Sequence, residues 1–567
     1  MKRSGKVLTV ALIVGSLPSV AYSQEDCAPA TGDPTAAAVA ACLERTLPEW
    51  LSEASVPDAA AAVVDDQGVV WEMTHGQVDA TTIFSIQSMS KSFTALAVLM
   101  AVQDGLVDLD TPIAEYLPDF TVNSVFDEHP ERIITLRHLL AHRAGFTHEA
   151  PFGSNFDDRY DFTQHVESIS ETWLRYPVGN RRAYSNLGYD LAGYILQVRS
   201  GMPLESYVKK MVLDPLGMSG SSLDMQVIAA SENRAIGHSS HGTYVPLRIP
   251  MIAAGGVYTN VRDMVEYLRF HLNKGVANGR RILRSDLMEE MHSIQFAVPG
   301  QRGGYALGLL REPVSDSYNI YHSGGGYGFQ SDMVMYPGKN VAVVLLTNLG
   351  GHGAGGGRLR YVVDRLIQAR DGPTPVADAG TERMTKLESD DPRVEAILGR
   401  YGRGHEGFVV GYEEAVLGLR RLGPDDFYPL TFFDDDGQLV GMYGRFSELR
   451  VLPPVGEGQR PPVTTIHRAI SNVNVHVYDF NDSPSDPPGP SRPHWAAYVG
   501  DYELLRYGEP EWIVEVTVNN GYLYYEGRKC TEHETGLFFT FDGQVLDFRS
   551  EQPSMANMPL RRLERPR

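Results

Sequence analysis

The chain has 567 residues, is 43% apolar and carries a formal net charge of −21 at pH 7. That length is too great for one ordinary domain and predicts two or three. The acidic balance argues against nucleic acid or an anionic membrane as partner, because both need a basic footprint.

Residues 1–23 read as a signal peptide. Lys2, Arg3 and Lys6 make the basic start, Val7 to Val20 the apolar stretch, and Ala21-Tyr22-Ser23 a small-x-small cleavage site. The apolar stretch is interrupted by Gly15, Ser16 and Pro18 and is too short to span a bilayer. No other stretch is long and apolar enough, so the sequence predicts a periplasmic or secreted chain that does not cross a membrane. Cys27 and Cys42 are close enough to bridge, and the sequence leaves that open. Cys530, in a strand-rich region, reads as a small buried apolar residue.

Ala60 to Asp65 and Val69 to Thr74 are β-prone runs around the turn signal Asp66-Gln67-Gly68, which predicts a hairpin. Phe93 to Val102, closed by Gly105, predicts a buried helix with a glycine cap. Ser88 and Lys91 stand three apart at its start, so one turn brings hydroxyl and amine to the same face. A serine becomes a nucleophile when a neighbouring base takes its proton, and a lysine shielded from water can be that base. Ser-x-x-Lys alone is a weak pattern. A second copy, Ser206 and Lys209, follows Met202-Pro203-Leu204-Glu205 and reads as an ordinary surface helix start.

His138 and His142 are four apart in Leu136-Arg137-His138-Leu139-Leu140-Ala141-His142, a spacing that could hold a metal on a helix. No third ligand is evident, so both read as structural histidines, and no metal or cofactor is expected. Tyr184 and Asn186 sit two apart in a loop before a helix. Tyr318 to His322 is a strand leading into Gly324-Gly325-Gly326, where glycines would let a substrate backbone lie close to a strand edge. Gln330 to Tyr336 and Val341 to Thr347 flank Pro337-Gly338 as a second hairpin, and Leu359 to Ala369 reads as an amphipathic helix. Gly350 to Gly357 lacks the Gly-Lys-Ser/Thr ending of a phosphate loop and reads as a surface loop.

Asp371-Gly372-Pro373-Thr374-Pro375 and Asn481 to Pro493 mark domain boundaries. The segments after them form a weak repeat: Phe432 to Leu439 matches Phe539 to Leu546. Short alternating strands in both predict two small antiparallel barrels with an accessory role. The N-terminal and C-terminal strands of the first domain should join one antiparallel sheet, with the helical middle, residues 105–300, packed on it.

Taken in order, Ser88-x-x-Lys91, Tyr184-x-Asn186 and His322-x-Gly324 resemble the three motifs of the serine β-lactamase-related hydrolases. That superfamily takes in class C β-lactamases, D-alanyl-D-alanine carboxypeptidases, D-aminopeptidases and related esterases. The flanks Ile134 to His142, Leu213 to Met218 and Ala254 to Tyr258 agree, and the resemblance covers roughly residues 50–370. Tyr258-Thr259-Asn260 and His405-Glu406-Gly407 are decoys of the second and third motifs.

The resemblance implies a β-lactamase/transpeptidase-like α/β (α+β) domain over 24–372, after the signal peptide at 1–23. Two β-rich accessory domains would follow, at 385–480 and 494–567. It implies Ser88 as nucleophile, with Lys91 and Tyr184 sharing the proton work. Asn186 would hold Lys91 and contact the substrate amide, with His322 and Gly324 lining the substrate. The backbone N–H groups of Ser88 and Gly325 would form the oxyanion hole. The implied activity is hydrolysis of a small peptide or amide, as in an aminopeptidase or short-peptide peptidase. Ester and D-alanyl carboxypeptide substrates are the alternative, and a non-catalytic peptide-binding protein the alternative of another class. A homo-oligomer is compatible. Where β-lactamases and many carboxypeptidases have lysine in the third motif, this chain has His322. A mostly neutral histidine is a weaker carboxylate clamp, which argues against efficient β-lactam hydrolysis.

Overall fold

The computed structural model describes residues 35–153, 159–239, 245–297, 302–352, 357–372, 385–387, 391–401, 408–413, 416–421, 427–435, 438–443, 447–451, 463–469, 472–478, 492–506, 509–519, 522–526, 528–540 and 543–563. The signal-peptide expectation and Cys27 fall outside them, as do residues 353–356 of the glycine-rich loop. Cys42 is disulfide-bonded.

Seven strands build the central sheet: β1 (Ala59–Val64), β2 (Val69–His75), β3 (Gly304–Tyr305), β4 (Leu310–Val314), β5 (Ser317–Gly326), β6 (Phe329–Tyr336) and β7 (Val341–Thr347). Their order is β2-β1-β7-β6-β5-β4-β3, and every neighbouring pair is antiparallel. The first and last hairpins predicted from the sequence therefore meet edge to edge, Ala61 opposite Leu345. Pairing distant runs this way buries both. β1 and β7 read as unbroken apolar runs because both their faces are covered.

Alternate residues divide between two cores. Ala60, Ala62, Val344 and Leu346 face the helical region. Ala61, Val63, Val343 and Leu345 face α1 (Thr35–Glu53) and a C-terminal helix, Gly357–Asp371. The latter is the amphipathic helix expected over Leu359 to Ala369. The sequence reading did not anticipate α1.

The predicted buried helix is α2 (Ser90–Gln103). Every residue from Ser90 to Ala101 is buried, and its face-to-face hydrophobic contrast is small because helices pack around it. Gly105 takes φ +69° just past the end, where left-handed backbone favours glycine. The helix α3 (Leu136–Leu140) packs on α4 (Asn186–Ser200), and α4 and the single turn α5 (Ile252–Gly255) pack on α2.

Strands Gly399–Tyr401 to Asn472–Tyr478 follow one another in an antiparallel sheet of nine, with Thr385–Lys386 joined at its side. Gly500–Arg506 to Met558–Arg562 form a closed barrel of eight, sealed by Leu504 opposite Leu560. Cys530 is fully buried in the barrel core with Trp495, Tyr502 and Phe538. Both copies of the internal repeat are hairpins, with Asp435 opposite Gln438 and Phe539 opposite Val545.

Candidate active site

Ser88 lies in a single 3-10 turn, Gln87–Met89, that runs directly into α2. The turn is wedged against the sheet. The Ile86 carbonyl accepts from Ser331 Oγ at 2.7 Å, and Gln87, at φ +48°, donates its side-chain amide to Ser85 Oγ at 2.6 Å. A Cβ on Gly324 would stand 2.0 Å from the Ile86 oxygen, so only glycine lets β5 come this close. The next residue, Gly325, is exposed, with nothing within 4 Å of where a Cβ would be.

Lys91 follows one turn later and has no exposed surface. Its Nζ hydrogen-bonds Asn186 Oδ1 at 2.8 Å, the Ala254 carbonyl at 3.0 Å and Ser88 Oγ at 3.2 Å. The first two partners can only accept. With two of its hydrogen-bond directions given to them, the third direction of Nζ faces the Ser88 hydroxyl. The Tyr184 ring centroid lies 4.9 Å from the same nitrogen. Hydroxyl, amine and phenol ring, drawn from two distant segments, thus surround one point.

Each partner is held in turn. Asn186 opens α4, 5% exposed, with its Nδ2 toward Met251 Sδ at 3.5 Å. One turn on, buried Asp190 accepts from the Ala253 and Ala254 N–H groups, both at 3.1 Å, which fixes α5 and therefore the Ala254 carbonyl. Asp190 is also 3.3 Å from His165 Nε2. Burial would lower the His165 pKa, but the Asp190 carboxylate outweighs it and raises it.

His322, on β5, is 3% exposed and uses both ring nitrogens within the chain. Its Nδ1 lies 2.7 Å from the Ser323 carbonyl and so donates to it. Nε2 then accepts from Tyr305 Oη at 3.0 Å. Burial, and next the Lys91 charge, bring its pKa down to about 3, so the ring is neutral.

The model of the beta-lactamase family matches residues 36–366, more than half of the chain. The chain belongs to the beta-lactamase family. Among similar proteins, Protein flp of Staphylococcus aureus is 25% identical over 315 residues, 53% of this chain and 61% of that protein. Beta-lactamase-like protein 2 of Dictyostelium discoideum is 26% identical over 262 residues, 43% of this chain and 47% of that one. The matches therefore span less than two thirds of either curated relative. The crystal structure of SurE is 23% identical with a TM-score of 0.50, covering 79% of this chain and 99% of that one, a likeness of fold.

Within this beta-lactamase-family domain, the predicted residues converge unevenly. Ser88, Lys91 and Asn186 share hydrogen bonds, Tyr184 packs beside them, and Gly324 abuts the Ser88 turn. His322 touches none of these by a hydrogen bond among the described residues. Two of the decoys separate. Lys209 is 63% exposed and pairs with Asp214, and Asn260 caps the helix Val261–Leu272 by accepting from Asp263 N–H at 2.9 Å. His405-Glu406-Gly407 lies outside the described residues. His138 closes a capping box with Thr135, and α3 ends at Leu140, so His138 and His142 do not share a helix face. The sequence reading missed the Ala254 carbonyl, Asp190 and Tyr305, whose roles depend on backbone position or on partners far along the chain. No residue pattern announces them.

Proposed function

We propose that this beta-lactamase-family chain is an exported serine hydrolase that cleaves small peptide or amide bonds through an acyl-enzyme. The observation that carries the reading is the fully buried Lys91 Nζ, tied to two carbonyl oxygens with its third direction toward Ser88 Oγ. Ser88 Oγ attacks the substrate carbonyl carbon while its proton passes to Lys91 or to Tyr184. The new oxyanion is met by the N–H groups of Ser88 and Gly325. The proton then goes to the departing amine as the carbon–nitrogen bond breaks, and water hydrolyses the ester left on Ser88 with the same groups as base.

His322 favours neutral or amine-bearing substrates over those held by a carboxylate clamp, because its nitrogens are engaged and its charge is absent. Ester hydrolysis would use the same groups. Domain boundaries at 24–372, 385–480 and 494–567, and cleavage after Ser23, belong to the same proposal.

A fluorophosphonate probe followed by peptide mass mapping tests the chemistry. Label on Ser88, lost in Ser88→Ala, is expected, whereas an unlabelled wild-type chain would refute it. A panel of L- and D-aminoacyl amides, short peptides, p-nitrophenyl esters and a chromogenic cephalosporin tests the substrate. Peptide, amide or ester turnover should exceed cephalosporin turnover, and the reverse order would overturn the argument from His322.

A further inference from the structure

His142 is a buried titratable group that the chemistry above leaves unused. It lies two residues beyond α3, is 2% exposed and takes φ +58°, a left-handed backbone that an ordinary side chain adopts only when its surroundings impose it. What imposes it is the Tyr184 loop. The His142 carbonyl accepts from Ala183 N–H at 2.8 Å, and His142 Nδ1 accepts from Ser185 N–H at 3.2 Å. Between those two anchors the Tyr184 ring packs on the imidazole, centroids 4.3 Å apart. His148 also stacks on Tyr184, centroids 5.8 Å apart.

We infer that His142 is the positioning residue of Tyr184, holding the peptide groups on both sides of it through its carbonyl oxygen and its Nδ1. The inference rests on the serine-hydrolase reading, in which Tyr184 shares the proton work. Packing alone does not account for a histidine here. Because Nδ1 accepts, the proton must sit on Nε2, and Nε2 is buried with no hydrogen-bond partner among the described residues. Phenylalanine would fill the same space among Tyr184, Tyr189 and Tyr305 without that orphaned donor. Beyond an easier fit to the left-handed backbone, what histidine adds over phenylalanine is the Nδ1 acceptor. The surroundings keep that lone pair available: burial first, then the charges of Lys91 and Arg182, with His322 and His148 also facing it, push the ring toward its neutral form. Protonated, Nδ1 would point a donor at the Ser185 N–H and release the loop.

Two variants separate the acceptor from the ring. His142→Phe keeps the packing and loses the acceptor. His142→Asn loses the ring, places Oδ1 near the position of Nδ1, and tolerates left-handed backbone. Turnover of the best substrate in the panel, and the rate of Ser88 labelling, are measured for both. His142→Phe is expected to lose on the order of 10²-fold in kcat with KM little changed, and His142→Asn to stay within about tenfold of wild type. Equal losses in the two variants, a wild-type kcat in His142→Phe, or a rise in KM at unchanged kcat would each overturn the positioning role. Should His142→Phe not fold, the asparagine variant decides: near-wild-type kcat supports the role, and a loss of about 10²-fold ends it. Absence of labelling and turnover in the wild-type chain would instead remove the hydrolase reading, and the positioning role with it.

Discussion

At Lys91 the chain buries an amine completely, which is tolerable only where its nitrogen is fully hydrogen-bonded. Two of the three bonds are structural, joining α2 to Asn186 of α4 and to Ala254 of α5. The third is what the proposed chemistry uses. Lys91→Met keeps most of the volume and removes the base. It should lower kcat by about 10²–10⁴-fold, the range typical of a positioned acid–base group. It should also cost about 1–3 kcal/mol for each of the two carbonyl oxygens left without a donor. Thermal melting and Ser88 labelling rates check both parts, and unchanged labelling would show that another group activates the serine. The Ser-x-x-Lys spacing was readable in the sequence, yet so was its copy at Ser206 and Lys209. Exposure separates them in the fold, 0% for Lys91 against 63% for the Lys209 side chain.

Among the elements, β5 does most to shape the site. Its middle carries the buried His322, and its glycine end lies against the turn that presents Ser88. The sequence reading attributed those glycines to a substrate passing along the strand edge. For Gly324 the close neighbour is the chain's own Ile86 carbonyl, while Gly325 has open space beside it. The two should therefore respond differently to the same methyl group. Gly324→Ala must push β5 from the turn and is expected to cost about 1–3 kcal/mol of stability, as other over-packed sites do. Gly325→Ala should stay within about 0.5 kcal/mol of wild type. Urea titrations of the two variants measure this, and equal midpoints would show that β5 yields more easily than its contacts indicate.

Across the molecule, burial of neutral histidines ties the fold to pH. His142, His271, His292 and His322 are all buried, and burial lowers the pKa of each, to about 3 for His292 and His322. A histidine lowered in the fold takes up protons only when the chain unfolds. Its contribution is complete above its unfolded pKa of about 6.5 and declines as pH falls from there toward the folded value, by about 1.4 kcal/mol per pH unit. His165, raised beside Asp190, and Glu312, which burial pushes up to about 7, act in the opposite sense. Melting temperature should fall between pH 7 and pH 5. His292→Gln, which removes one partner of the 2.9 Å contact with His271 Nδ1, should fall less over that interval. An identical slope in wild type and variant would exclude His292 as a source of the acid sensitivity. At this scale the C-terminal barrel also meets the site. With its amide turned to satisfy both ends, Gln544 donates to Thr147 Oγ1 at 3.2 Å and accepts from Arg175 at 3.2 and 3.3 Å. The Thr147 carbonyl in turn takes the Ser185 hydroxyl at 2.5 Å.

The sequence by itself determined most of the strand and helix runs of the first domain and the antiparallel closure of its sheet, and it put forward Ser88, Lys91, Tyr184 and Asn186 as the candidate site. Those features are written in local spacing and in the order of motifs, which survive when the chain is read one residue at a time. Tertiary structure alone decided which lysine is shut away from water, that Asp190 sets the Ala254 carbonyl, that His322 spends both nitrogens inside the chain, and that His142 grips the loop around Tyr184. Each of these depends on the burial of a group or on a hydrogen bond between segments far apart in the chain, and neither is a property of any one stretch of sequence.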